Sequence, residues 1–112
     1  VITRQDLADA LTAAGCDGQA LPPDVASAGM AWPVWVSGRP MASGAELTWN
    51  CFVVLPGGSA AATLAEADPL TEACLDALLQ LGAVTDFGPV SLATDLAGSA
   101  VLPALRFTLT TV

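Results

Sequence analysis

Apolar and polar residues alternate along this chain with two periods, and the switches between them predict six elements. Leu7, Ala10, Leu11 and Ala14 recur at helical spacing, one apolar stripe along a helix. Thr3 and Asp6 are spaced as a capping box, and Gly15 stands where a left-handed stop belongs. Residues 16–29, with Asp17-Gly18 and Pro22-Pro23, read as a loop. From Met30 to Ser37 the period falls to two, a strand in which Pro33 marks an edge or a bulge. Gly38 to Gly44 reads as a turn containing Arg39, Pro40 and Met41. Glu46 to Leu55 is a clearer strand: Leu47, Trp49, Cys51 and Val53 point one way, Thr48, Asn50, Phe52 and Val54 the other. The two strands are close enough to form an antiparallel hairpin, ended by Pro56-Gly57-Gly58.

Asp68-Pro69 predicts the start of the second main helix, with Asp as cap and Pro where no amide hydrogen is needed. Residues 59–67 read as a short helix leading into it. Leu70, Cys74, Ala77, Leu78 and Leu81 form its core stripe, widened by Leu75 and Leu79, and Gly82 ends it. Val84 to Ala93 reads as a weaker strand interrupted at Gly88-Pro89, and Leu105 to Val112 as a closing strand. The order α-β-β-α-β-β predicts an α+β domain spanning residues 1–112, an antiparallel sheet with two main helices on one face.

Composition changes this picture in one respect. The hydrophobic fraction is 54% and the mean hydropathy +0.62, high for a small protein whose surface must mostly be wet. Much of it is alanine, and no run approaches the roughly 20 apolar residues that span a bilayer. Arg4, Asp6 and Asp9 interrupt the first apolar stretch, against a secretory signal. The pattern predicts a soluble chain that covers some apolar surface with copies of itself or with partners.

Charge and residue inventory narrow the chemistry. Three basic against eleven acidic residues give a net charge of -8, opposed to binding a phosphate backbone. With no His, Lys or Tyr, the usual bases and proton donors are missing. Asp6, Asp9, Glu72 and Asp76 fall on polar helix faces as solvated carboxylates rather than as a catalytic pair. Cys16, Cys51 and Cys74 have no histidine partner and no CxxC spacing; free, buried thiols in a reducing compartment are the expectation. The reading is therefore no catalytic residue, no cofactor and no metal. Trp32 and Trp35 have opposite parity, so one should point away from the helices, where a tryptophan serves as a subunit contact. Arg4, Arg39 and Arg106 are the chain's cations and candidates for a neighbour's carboxylates. With Met41, these make a candidate interface of Arg4, Trp32, Trp35, Arg39, Met41 and Arg106.

The helix ITRQDLADALTAAG, the strands AWPVWVSG and ELTWNCFVVLPGG, the helix DPLTEACLDALLQLGAV and the strand ALRFTLTTV together give a chain that resembles the tail terminator proteins of long-tailed bacteriophages, particularly those of actinobacteria with G+C-rich genomes. The resemblance implies a virion protein assembled in the host cytoplasm, a ring, commonly a homohexamer. Such a ring caps the tail tube, ends its polymerisation and offers the surface to which the head attaches. Its implied partners are itself, the tail-tube protein and a head-closure or neck protein, with DNA passing through the channel without specific binding and no membrane contact. A neck or tail-tube subunit and a cellular homo-oligomeric binding module are the alternatives.

Overall fold

The computed structural model describes residues 2–55, 60–93 and 101–112; the predicted turn at residues 56–58 lies outside them. The elements are helix α1 (Arg4–Ala13), strands β1 (Asp17–Gly18), β2 (Met30–Met41) and β3 (Gly44–Val54), helix α2 (Ala60–Leu79), and strands β4 (Ala83–Ala93) and β5 (Val101–Thr111). The fold is α+β. Its five-stranded sheet runs β1-β2-β3-β5-β4 and is mixed rather than antiparallel, because the short β1 pairs parallel with β2.

Helix α1 forms where its signals stand. The Thr3 hydroxyl accepts from the Asp6 amide at 3.2 Å and the Asp6 carboxylate accepts from the Thr3 amide at 2.8 Å, which satisfies two amides the first turn leaves unpaired. Gly15, at φ +102°, takes the left-handed conformation that releases the chain. The chain then folds back along α1 as β1. A Cβ on Gly18 would run into the Ala8 carbonyl oxygen, so only glycine lets β1 lie this close to the helix.

Leu7 and Leu11 of α1 and Cys74 and Leu78 of α2 share one buried cluster with Trp49, Cys51, Val53, Leu105, Phe107 and Leu109 of the sheet. The alternation predicted for β3 and β5 sets which residues enter it. The Trp49 indole N–H donates to the hydroxyl of buried Thr111 at 3.1 Å, pairing two polar atoms that burial would otherwise penalise. Leu79, predicted to widen the α2 stripe, is exposed.

Several element boundaries differ from the sequence reading. Strand β2 continues to Met41, and the turn shrinks to Ala42-Ser43, with Gly44 at φ +143° beyond it. Pro40 is tolerated because β2 is open on that side and needs no donor there. Helix α2 starts at Ala60 and runs through Pro69, so Asp68 is an interior residue instead of a cap. The alanine-rich turns before it are strong helix formers that carry the helix across the proline; the Thr71 hydroxyl beyond it donates back to the Ala67 carbonyl at 2.7 Å, an ordinary i−4 bond. Strands β4 and β5 are longer than predicted; β4 passes through Gly88-Pro89 on the sheet's open edge, and β5 begins at Val101.

Candidate functional site

The candidate interface residues separate into two groups. Arg4, Trp32 and Arg106 are engaged within the chain. The Arg4 guanidinium lies 5.5 Å from the centre of the Trp49 ring, a cation–π contact, and donates to the Pro33 carbonyl at 3.5 Å. Arg106 pairs with Asp86 at 3.1 Å. Trp32 does point away from the helices, yet it is 1% exposed. A second cluster covers it: Ala26 from the loop before β2, Val54, and the flanking Met30, Val34, Phe52, Leu92 and Leu102. The tryptophan that a partner can reach is Trp35, on the other side of the sheet.

Trp35, Arg39 and Met41 lie on one stretch of β2, Trp35 on one face and Arg39 and Met41 on the other. The β3–β5 ladder ends at Leu47 with Thr111, whereas β2 and β3 stay paired as far as Met41 and Gly44. Residues 35–47 thus form a hairpin arm projecting past the rest of the sheet, in a molecule measuring 49 × 28 × 20 Å. Trp35 sits opposite Trp49 and shares its helix-side face, but is 53% exposed. A β-bulge between Trp35 and Ser37 increases local twist and re-aims the strand. A methyl group on Gly38 would meet Leu47 Cδ2 at 3.1 Å and Trp35 Cζ2 at 3.5 Å, so both side chains close over this glycine as one apolar platform. Pairing places Pro40 and Ala45 on the same face; Ser37, Arg39, Met41 and Glu46 take the other. The indole N–H of Trp35 donates to the Ser37 carbonyl at 2.8 Å. Arg39 and Glu46 form an exposed ion pair at 3.2 Å.

A second feature has no counterpart in the sequence reading. Helix α2 and strands β4 and β5 border a cleft of about 880 Å³. Leu64, Leu75, Phe87, Pro89 and Val90 give it apolar walls, and Asp68 and Glu72 stand among its lining residues. Leu64 and Phe87 are exposed. The sequence places Leu64 on a short helix over residues 59–67; it does not report that this helix is continuous with the one that follows or that it lies beside β4.

Neither feature assembles acid–base chemistry. The Asp6 carboxyl is held below its ordinary pKa by its bonds to the Thr3 backbone and hydroxyl, a capping role. Cys16 and Cys74 approach to 3.8 Å between sulfurs. Accepting the Cys74 S–H bond lowers the Cys16 pKa, and the same bond with burial raises that of Cys74. Burial pushes the Cys51 thiol up to about 12. All three are buried free thiols. Among the described residues, no group of three His, Cys, Asp or Glu side chains is placed to hold a metal, and no helix is long and apolar enough to cross a membrane.

Compared with known protein families, curated proteins and solved structures, the chain has no match.

Proposed function

We propose that this chain is a structural subunit without enzymatic activity that assembles with copies of itself into a ring, and that the ring is a tail terminator capping the tail tube of a long-tailed bacteriophage. The observation that carries the assembly half is the arm. An isolated small protein gains nothing by extending residues 35–47 beyond its core with Trp35, Val36 and Met41 exposed; burying that surface against a neighbour recovers the cost. Resemblance in the helix and strand segments supports the tail-terminator half. Six copies in a ring are what that resemblance implies.

A capping ring must match the tube on one face and present something else on the other, since a matching face would propagate growth. The head-closure or neck protein would take that second face. A net charge of -8 suits a channel through which DNA slides without adhering, because an acidic lumen repels phosphates. A ring whose lumen is lined mainly by arginine would contradict this point. The role is tested by adding the purified protein to polymerising tail-tube subunits. A terminator halts growth without extending the tube; tubes that lengthen with the added protein built in identify a tube subunit instead. The apolar cleft favours a second reading, a homo-oligomeric binding module for a peptide or small molecule.

A further inference from the structure

We infer that the hairpin arm of one copy seats in the α2–β4 cleft of the next, so that the subunit contact joins two different surfaces and repeats head to tail. The inference rests on the self-assembly reading above and specifies its contact.

Topology rules out closure within one chain. The arm lies at the Gly44 end of β3. The cleft lies at the other end, beside Leu55, Ala104 and Leu105. Residues 48–54 of β3 separate them, roughly 25 Å at strand rise. An arm that finds its own kind of cleft must find it on another molecule. A contact between unlike surfaces generates either a closed ring or an open filament.

The mode of contact follows from the strand edges. Beyond Ala31, β2 is open on its outer side in the described sheet, and so is β4. Direct edge-to-edge pairing would otherwise be expected. Yet β2 carries Pro33 and Pro40, β4 carries Pro89, and both have irregular register, after Trp35 and after Val84. Prolines and bulges blunt an edge against strand addition. Docking is therefore led by side chains.

Those side chains are complementary. The arm offers Trp35 and Leu47 over Gly38, with Pro40 and Ala45 on the same face; the cleft offers Leu64, Leu75, Phe87, Pro89 and Val90. Because the Trp35 indole N–H already bonds the Ser37 carbonyl, the ring can be buried without leaving a donor unpaired. Charge selects the same pairing. Residues 35–47 contain one Arg and one Glu, so the net charge of -8 resides entirely outside the arm. Helix α2 holds Glu66, Asp68, Glu72 and Asp76 and no base. The Arg39 side chain, 70% exposed, stands on the opposite face of the arm from Trp35, so an arm seated lengthwise between the cleft walls lays its apolar face on β4 and turns Arg39 toward Asp68 and Glu72 of α2. In a chain this acidic, the arm is the surface that approaches another copy without net repulsion.

The test is sedimentation velocity over a concentration series, with far-UV circular dichroism to verify that each variant is folded. Wild-type protein should associate. Arg39→Glu and Trp35→Ser should each weaken association about tenfold or more, the scale of one lost anchoring contact. Combining Arg39→Glu with Glu72→Arg should restore association to within about threefold of wild type, as expected for a charge pair exchanged across one interface. If wild-type protein associates and folded Trp35→Ser and Arg39→Glu associate equally well, the arm is not the contact and only this inference falls. Association lost in Arg39→Glu and not recovered with Glu72→Arg likewise rejects the cleft as the seat. A wild-type chain that remains monomeric throughout removes the self-assembly reading and this inference together.

Discussion

Between pH 9 and 12 the side chains of this protein that change charge are its cysteines. The chain has no Lys, Tyr or His, the other side chains whose ordinary range reaches or adjoins this window. Alkaline stability therefore reads the buried thiols almost alone. Cys51 is the cleanest reporter: it is 0% exposed, and burial pushes its pKa from an ordinary 9.0 to about 12. In the unfolded chain the thiol ionises near 9; in the folded one it stays protonated to about 12. The unfolded state thus binds fewer protons across this window, and stability falls as pH rises through it. Below pH 9 the contribution is fully present. The slope is about 1.4 kcal/mol per pH unit for one thiol, or roughly 4 kcal/mol over the whole window. Replacing Cys51 with Ala should lower stability at neutral pH by about 1 kcal/mol through the small void left behind. It should also make the alkaline slope shallower by about 1.4 kcal/mol per pH unit. Urea unfolding under reducing, anaerobic conditions, followed by tryptophan fluorescence, measures both, since Trp32 and Trp49 are buried reporters. For a urea dependence of about 2 kcal/mol per molar, the variant's midpoint should fall about 0.7 M less per pH unit than that of wild type. Equal alkaline slopes in the two proteins would refute the assignment, as would a wild-type stability that already declines between pH 6 and 8.

Three further predictions test the packing of α1 and of the core. Gly18→Ala drives a methyl group into the Ala8 carbonyl and should cost about 1–3 kcal/mol in urea unfolding, whereas Gly15→Ala, with open space around it, should cost about 1 kcal/mol from its backbone conformation alone. Trp49→Phe leaves the Thr111 hydroxyl buried without its donor, a loss of about 1–3 kcal/mol beyond packing; adding Thr111→Val should recover about 1 kcal/mol of it in thermal or urea unfolding. Thr3→Ala removes the acceptor that caps α1 and should cost about 1 kcal/mol, with hydrogen exchange faster at the first-turn amides than in the middle of α1.

Local signals were legible in the sequence wherever the residues that make an interaction are neighbours in the chain. The Thr3–Asp6 box lies three residues apart, and Gly15 follows directly on its helix. The alternation in β3 sorted Trp49 and Cys51 from Asn50 and Phe52 because a half-buried sheet enforces it. What sequence missed depended on distant partners. Gly38 and Pro40 read as turn residues, but on an open edge neither disrupts pairing, so β2 continues as an arm. Asp68-Pro69 read as a helix start, yet the alanine-rich residues before it carry the helix across the proline. The burial of Trp32 comes from Ala26 in a preceding loop and from Leu92 and Leu102 far along the chain, which no periodicity within β2 reports. Likewise the cleft exists only once α2 and β4 are side by side, and so Phe87 and Leu64 gave no warning of it.

Native mass spectrometry of the purified full chain at micromolar concentration is the most direct test that this protein is a ring-forming structural subunit. One discrete assembly of fixed stoichiometry is expected, six copies by resemblance to tail terminators, appearing in negative-stain images as a closed ring. A chain that stays monomeric at every concentration, or one that forms only open filaments of unlimited length, would contradict it.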